Sequence, residues 1–371
     1  MLRRARPGQT GRVGTFEPGI DLNAAFYAEV VAPILGRTRH SAGLLGWGSE
    51  ILGFDTERST DHGWGPRLRV FVEPADVAAA QGAIDAALPA EFRGNPVSYG
   101  WDGVAAEHRV RVSDVGSWLV AQLGHDPRGG IGALDWLVMP QQLLLGVVRG
   151  AVFHDGLGEL RRVREQLDWY PDDVWRWMVA CQWQRVAQEE AFVGRTAEVG
   201  DELGSRLVAA RQVHELMRLW FLLHRRYWPY TKWFGSAFAQ LPGAAEMDGY
   251  LERVLQAADW HARQPALAAA YEFVARGHNN AGITEWVDPT VRPFFGRGYL
   301  VLMSDRFVDA CLERVADPWL RALPLVGSVD QLVDSTDVLS VAARATRLRA
   351  LYEAEAAPDV HGDPDPSDEV P

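Results

Sequence analysis

Apolar and polar residues alternate in three segments of the first third of the chain, a pattern typical of strands with one buried face. The segments read SAGLLGW at 41–47, RLRVFVEP at 67–74 and HRVRVSD at 108–114. Apolar residues recur at helical spacing over 22–36 and 75–88. The pattern therefore predicts a mixed α/β domain over residues 14–133.

From Leu134 onward the apolar residues follow helical periodicity almost throughout. One helix is predicted after Pro171, because a proline and the two aspartates behind it favour a helix N-terminus. A second long helix is predicted within 200–227, and further helices at 245–260, 265–277, 305–315 and 328–350. The predicted fold class is α+β, with a mixed-sheet domain followed by a helical domain over 134–350.

Both ends of the chain are rich in proline, glycine and charged residues. They predict a disordered arm over 1–13 and an acidic disordered tail over 351–371. The net charge is −12, and the segment 353–371 contributes seven acidic residues and no lysine or arginine. The rest of the chain is close to electrical balance, so we expect no general binding to nucleic acid.

Cysteine and hydropathy patterns predict a cytoplasmic protein without a membrane segment. The two cysteines, Cys181 and Cys311, cannot form a disulfide framework, and a reducing compartment suits them. No run of about 18 uncharged apolar residues occurs, and no apolar segment follows the arginines at the start.

The segment GWGSEILGFDTERSTDHGWGP, residues 46–66, carries the most specific chemistry. Gly48 and Ser49 follow a predicted strand, where a glycine lets a phosphate approach and a serine offers its N–H and hydroxyl. Asp61 is expected where the next strand begins, and a carboxylate there can hold a divalent metal against the same phosphates. The usual arrangement needs a second carboxylate two residues later, and Gly63 occupies that position.

This segment resembles the nucleotidyltransferase superfamily and, more narrowly, the family named domain of unknown function 4037. Further stretches resemble that family from about residue 22 to 345, among them YPDDVW at 170–175 and RRYWPYTKWFGSAF at 225–238. The resemblance implies a nucleotidyltransferase-like domain followed by a helical domain. It also implies Mg²⁺ and a nucleoside triphosphate, with ATP the expected nucleotide, and transfer of the nucleotidyl group to an acceptor.

The resemblance further implies roles for single residues. Gly48 and Ser49 would bind phosphate, Asp61 would hold the metal, and a glutamate of the helical domain, Glu189 or Glu190, would act as the base. A solvated helical face is the alternative for these glutamates. The family pattern has an aspartate where Gly63 stands, so we predict weak or absent metal-dependent transfer that Gly63→Asp would raise.

An aromatic stretch in the helical half contains Lys232, the only lysine of the chain. Arg226 and Lys232 could bind phosphate while the neighbouring rings stack on a base, or the stretch could be an aromatic helix junction. We place Ser49, Asp61, one of the two glutamates, and Lys232 or its arginine neighbours around one predicted cleft.

Three functional readings remain open from the sequence. The first is nucleotide transfer to a small-molecule acceptor or, alternatively, a protein acceptor. The second is a protein of this fold that binds a ligand or partner without that chemistry. The third is a different reaction, in specialised metabolism, that uses the same cleft.

Overall fold

A computed structural model of the chain describes residues 16–61, 63–101 and 103–353. The predicted disordered arm and all but three residues of the predicted acidic tail lie outside the described residues. The described residues form two compact units, one within Met1–Val115 and Arg149–Leu160, the other within Gly116–Val148 and Arg161–Pro371. The chain passes from one unit to the other at three points, whereas the sequence placed a single boundary near residue 134.

The first unit is built on a mixed sheet of five strands in the order β5-β6-β2-β1-β7. Strand β2 pairs parallel with β6, and the other neighbours pair antiparallel. Together with a separate two-stranded ladder, the strands of this unit are β1 (His40–Leu44), β2 (Arg67–Val72), β3 (Glu91–Phe92), β4 (Asn95–Pro96), β5 (Ser98–Trp101), β6 (Val104–Ser113) and β7 (Ala151–Asp155). The three predicted strands are thus confirmed as β1, β2 and β6. Strand β7 lies in the region that was predicted to be helical.

Three helices pack on one face of this sheet: α1 (Gly19–Phe26), α2 (Ala32–Leu35) and α4 (Val77–Ala87). The short helix α3 (Ser49–Leu52) follows β1. Leu68, Val70 and Val110 of the strands form one buried core with Phe26 of α1 and Ile84 of α4. Because neighbouring residues of a strand point to opposite faces, Arg67 and Arg69 of β2 lie on the face away from this core.

The second unit is mainly helical, which confirms the predicted fold class. Its longest helices are α9 (Asp172–Glu189), α11 (Glu202–Leu223) and α14 (Trp260–Asn280). The others are α5 (Val115–Leu123), α6 (Ala133–Val138), α7 (Gln141–Val148), α8 (Glu159–Gln166), α10 (Phe192–Glu198), α12 (Thr231–Phe238), α13 (Ala244–Gln256), α15 (Asp305–Glu313), α16 (Pro318–Ala322), α17 (Val329–Leu332), α18 (Thr336–Leu339), α19 (Ala342–Ala345) and α20 (Ala350–Glu353). A short ladder joins β8 (Arg292–Pro293) to β9 (Leu300–Val301).

The predicted helix over 328–350 is instead a series of short helices. Ser328 and Gln331 form a capping box that starts α17, and Ser335 precedes α18 in an extended conformation. Serine side chains compete for backbone hydrogen bonds and favour helix ends over helix interiors, which explains the interruptions. Among the described residues, no helix has the length and apolar character needed to cross a membrane.

Candidate functional site

The loop after β1 folds over a buried ion pair in the first unit. Arg67 donates from Nε to Glu50 Oε1 at 2.8 Å, and its Nη2 lies 2.6 Å from the same oxygen. The Arg67 guanidinium also donates to the carbonyl oxygen of Trp47. The side chains of Arg67 and Glu50 are 8% and 3% exposed, so the loop is fixed by a charged pair that water hardly reaches.

Gly48 is required by this loop for two reasons. Its φ of +130° is a conformation that side chains disfavour, and a Cβ at this position would lie 2.5 Å from both Arg67 Nη2 and Glu50 Oε2. Ser49 begins α3, and its carbonyl oxygen accepts a hydrogen bond from Phe54 N at 2.9 Å. Gly48 therefore lies against the Arg67–Glu50 pair. Phosphate binding by Gly48 and Ser49 stays a prediction.

Asp61 is not at the start of a strand, contrary to the expectation from sequence. It ends an exposed 3₁₀ helix, Glu57–Asp61, while β2 begins at Arg67. Residues 63–66 bend instead of extending: Gly63 has a φ of +68°, and Trp64 donates from its ring nitrogen to Asp55 Oδ2 at 3.0 Å. The metal-binding role of Asp61 stays a prediction.

Arginines occupy the strand positions at which alternating carboxylates would be expected. In the parallel pair of β2 and β6, Arg67 is in register with Arg109 and Arg69 with Arg111. Val110 belongs to the core and Val112 packs against it, so Arg109 and Arg111 lie on the same side of the sheet as Arg67 and Arg69. We call these four residues the arginine face.

The arginine face carries more positive charge than its carboxylates neutralise. Glu50 pairs with Arg67, and Glu107 lies 2.6 Å from Arg109 Nη1 and 2.7 Å from Arg111 Nη2. No hydrogen bond or ion pair joins the side chain of the half-buried Arg69 to the residues that the structure describes. Burial, followed by the charges of Arg67 and Arg111, lowers the pKa of the Arg69 guanidinium below its usual value.

Aromatic rings border the arginine face. Arg67 lies 4.6 Å from the ring centroid of Trp47, and Arg109 lies 4.9 Å from that of Trp101. The two indole rings meet edge to face with centroids 5.8 Å apart. Trp47 is 54% exposed, although a tryptophan of this size is usually well covered. The face thus offers guanidinium groups beside an accessible indole ring.

Glu107, a carboxylate of β6, pairs with two arginines of the arginine face. The hydrogen bond and charge of Arg111 lower the pKa of Glu107 below its usual value. Within the described residues, no group of three or more histidine, cysteine, aspartate or glutamate side chains is arranged to hold a metal ion.

In the second unit, the two candidate base residues are held by neighbouring elements. Glu190 is buried, and it accepts from Leu302 N at 2.8 Å and from Ser304 N at 2.9 Å. Burial raises the pKa of Glu190 to about 7, and these hydrogen bonds oppose the rise. Glu189 Oε1 lies 3.2 Å from Arg211 Nη1, while its Oε2 is buried without a hydrogen-bond partner. The structure thus gives Glu190 a structural role, and its role as a base is a prediction.

The second unit does not bring Arg226 close to these glutamates. Arg225 pairs at 2.9 Å with Asp172, the first residue of α9, whereas Glu189 is the last residue of that helix. A helix of 18 residues is roughly 27 Å long, so Arg226 and Glu189 lie at opposite ends of α9. Lys232 is exposed on α12, with Nζ 4.8 Å from the ring centroid of Trp233.

The predicted cleft would need residues from both units. Gly48, Ser49 and Asp61 belong to the first unit, and the remaining candidates belong to the second. The shared cleft stays a prediction.

Comparison with known proteins gives a family match that includes residues of both units. Residues 136–234 match the family described as Domain of unknown function (DUF4037). The recognition of this family from the sequence is confirmed over these residues, which include β7, α9, α11 and the start of α12. No curated protein matches the chain significantly.

Among solved structures, the chain is similar to the crystal structure of a nucleotidyltransferase-like protein from Exiguobacterium sibiricum 255-15. The identity is 11% and the TM-score 0.31, over 71% of this chain and 78% of that chain.

Proposed function

We propose that the chain is a nucleotidyltransferase-like protein whose first unit binds the phosphate groups of a nucleotide on the arginine face. The observation that carries the proposal is Arg69, a half-buried guanidinium between two other arginines with no partner among the described residues. Holding like charges together costs free energy that an anionic ligand would recover.

Phosphate is the anion that suits this arrangement. A guanidinium is planar and donates two parallel hydrogen bonds to phosphate oxygens, so several arginines on neighbouring strands can hold a chain of phosphates. The exposed Trp47 ring beside Arg67 offers a surface on which a base can stack. Together these groups favour a nucleotide over inorganic phosphate.

The arginine face supports ligand binding more directly than magnesium-dependent transfer. Mg²⁺ takes oxygen ligands, and Arg67 and Arg69 occupy the alternating β2 positions with positive charge instead. In the proposed complex, guanidinium groups neutralise the phosphates that a metal would otherwise neutralise. Nucleotidyl transfer to a small-molecule or protein acceptor, with Mg²⁺ on Asp61, is the alternative that the same titration tests.

The experiment is calorimetric titration of the full chain with ATP, with Mg²⁺ and with EDTA in place of Mg²⁺. Two arginine variants of equal charge change are compared: Arg69→Gln, on the arginine face, and Arg37→Gln, exposed in the same unit. We expect ATP to bind in EDTA and Arg69→Gln to weaken binding by about 10-fold or more, since a charged hydrogen bond contributes about 1.5–3 kcal/mol. Arg37→Gln should change the affinity by less than about twofold.

Other outcomes would redirect the proposal. Binding that requires Mg²⁺ and is lost in Asp61→Asn, but not in Arg69→Gln, would support the metal-dependent alternative. Binding of tripolyphosphate as tight as that of ATP would remove the nucleotide from the proposal. No binding of either compound would reject the arginine face as a phosphate site.

A further inference from the structure

A small cavity lies in the second unit beside α11, away from every residue used so far in the proposed function. It has a volume of about 80 Å³. Its wall comes from α7, α11, the segment 228–231, α12 and the segment 330–339. We call it the α11 cavity. A single water molecule needs a cavity volume of about 10–15 Å³, so the cavity has room for a molecule of a few non-hydrogen atoms.

Arg218 of α11 lines the cavity, and no anion among the described residues is hydrogen-bonded to it. Its side chain is 9% exposed, and its Nε has no hydrogen-bond partner in the described part of the chain. The paired carboxylate, Glu215 Oε2, is 3.7 Å from Arg218 Nη1, which is beyond hydrogen-bond distance. Burial lowers the pKa of the Arg218 guanidinium, and the charges of Glu215, Asp330 and Asp334 oppose this only in part, so an anion in direct contact would stabilise the charged form.

Glu215 is already committed to other donors. It accepts from Arg185 Nη2 at 2.9 Å and Arg185 Nε at 3.0 Å, and from Gln182 Nε2 at 2.6 Å. Burial alone would raise the pKa of Glu215, but the Arg185 hydrogen bonds and the charges of Arg218 and Arg185 lower it overall. Arg185 and Arg218 therefore share one carboxylate, and most of its hydrogen-bonding capacity is used by Arg185.

The other walls indicate the kind of anion. The ring of Trp228 lies 5.6 Å from the Arg218 guanidinium, and Phe234 adds a second apolar surface. Two further acids line the cavity: the buried Asp330, which accepts from Gln141 N at 2.9 Å, and the exposed Asp334. These acids disfavour a dianion such as phosphate, and Asp334 can accept a hydrogen bond from a ligand.

We propose that the α11 cavity binds a small organic carboxylate, which pairs with Arg218 and donates a hydroxyl or ammonium hydrogen bond to Asp334. Hydroxy acids and amino acids of two to four carbons fit this description. The inference does not depend on nucleotide binding, because it uses only residues of the second unit.

Binding should tighten as the pH falls from 8 to 6. Burial raises the pKa of Asp330 to about 7, so Asp330 loses its negative charge as the pH falls over this range and no longer repels an incoming carboxylate. The other charged or titratable groups of the wall or its neighbours are His214, Asp334, Arg218, Tyr230, Glu215 and Arg185. Partial burial, followed by the charge of Arg218, lowers the pKa of His214 to about 4, so His214 stays neutral over this range.

The first test is ligand-observed NMR and calorimetry on the full chain at pH 6 in a buffer free of carboxylates. The probes are glycine, glycolate, acetate and inorganic phosphate. We expect saturable binding of glycine or glycolate, weaker binding of acetate, and none of phosphate. Saturation by phosphate alone, or by none of the four, would overturn the proposal.

The second test compares two buried arginines of the same unit. Arg218→Met should weaken binding by at least about 30-fold, the effect expected when one member of a buried charge pair is lost. Arg263→Met is the matched control, since Arg263 is 1% exposed and does not line the cavity. Equal affinities in Arg218→Met and the wild type would overturn the proposal.

Asp334→Asn provides a variant that is expected to fold normally, because Asp334 is exposed. It should weaken the binding of glycine or glycolate, which carry a hydrogen-bond donor, by at least about fivefold. The affinity for acetate, which carries none, should change by less than about twofold. An equal loss for both probes, or no loss, would contradict the role of Asp334 as acceptor.

Discussion

Each unit contains two arginines of which only one is hydrogen-bonded to a buried glutamate. In the first unit, Glu50 pairs with Arg67 of β2, and the side chain of Arg69 has no partner among the described residues. In the second unit, Glu215 accepts two hydrogen bonds from Arg185, and its Oε2 lies 3.7 Å from Arg218 Nη1. The settings differ: Arg69 lies half-buried on a sheet face beside Arg67 and Arg111, whereas Arg218 lies at the wall of a cavity of about 80 Å³.

This comparison separates two uses of the same side chain. The arginine that holds the carboxylate fixes a loop or a helix pair, so its loss should lower stability. The arginine without a hydrogen-bonded carboxylate, Arg69 or Arg218, should contribute little to stability and is the one that we propose binds a ligand. The arginine face suits an extended anion with a base, and the α11 cavity suits a molecule of a few atoms.

The largest effect is expected when the shared carboxylate of the second unit is removed. Glu215→Ala leaves two arginines without their carboxylate in a site where Glu215 is 3% exposed. We expect a loss of about 3–5 kcal/mol in the free energy of unfolding, measured by denaturant unfolding monitored by tryptophan fluorescence. Glu198→Ala, which breaks a half-exposed pair with Arg297, should cost less than about 1 kcal/mol.

The two arginines of β2 should respond in opposite ways. Arg67→Met strands the buried Glu50 and should destabilise the first unit by about 2–4 kcal/mol. Arg69→Met removes a guanidinium without a partner. The free energy of unfolding of this variant should therefore stay within about 0.5 kcal/mol of the wild-type value or rise above it. Hydrogen exchange of the β2 amides would measure both, and equal losses in the two variants would break the comparison.

Asp330 should make the second unit less stable as the pH rises. Its folded-state pKa of about 7 is above the value for an unfolded chain, so the folded state binds this proton more tightly. Stability is then lost as the pH rises toward 7, by about 2 kcal/mol between pH 5.5 and 8.

Asp330→Asn retains an acceptor for Gln141 N and should flatten the profile of melting temperature against pH. Asp334→Asn is the control that should leave the profile unchanged. Glu190, whose pKa burial also raises to about 7, keeps part of the slope in both variants. An identical profile for Asp330→Asn and wild type would contradict the assignment to Asp330.

The smallest effect is expected at Gly63. A Cβ there would lie 3.0 Å from the Trp47 ring, and the φ of +68° is unfavourable for other residues. Gly63→Asp and Gly63→Ala should therefore both destabilise the protein by about 1–2 kcal/mol. Magnesium-dependent pyrophosphate release that rises in Gly63→Asp alone would instead support a metal site that has lost its second carboxylate.

The elements of the sheet could be predicted because alternation is a local property of the sequence. The segments RLRVFVEP and HRVRVSD gave β2 and β6, and the alternation itself placed arginines opposite the core. What could not be predicted is the register, which brings Arg69 beside Arg111, because strand pairing is not encoded in either segment alone.

The site was harder to predict than the fold. The spacing between Ser49 and Asp61 suggested an early strand, but Gly63 and Gly65 take positive φ values and delay β2 to Arg67. The buried position of Glu50 could not be predicted from the residues around it, because it depends on the ion pair with Arg67 seventeen residues later. The helix pattern of α11 did not distinguish Arg218. Only the packing of α9 on α11 shows that Glu215 is hydrogen-bonded to Arg185 and lies 3.7 Å from Arg218.

The late position of β7 in the chain has a practical consequence for dividing this protein. β7 (Ala151–Asp155) pairs with β1 at one end of the five-stranded sheet, yet it follows 33 residues, Gly116–Val148, that belong to the other unit. A fragment that stops at residue 133 would keep β1 and lose its outer neighbour. The backbone N–H and C=O groups of β1 would then be free to pair with another copy, and such a fragment should aggregate when it is expressed alone.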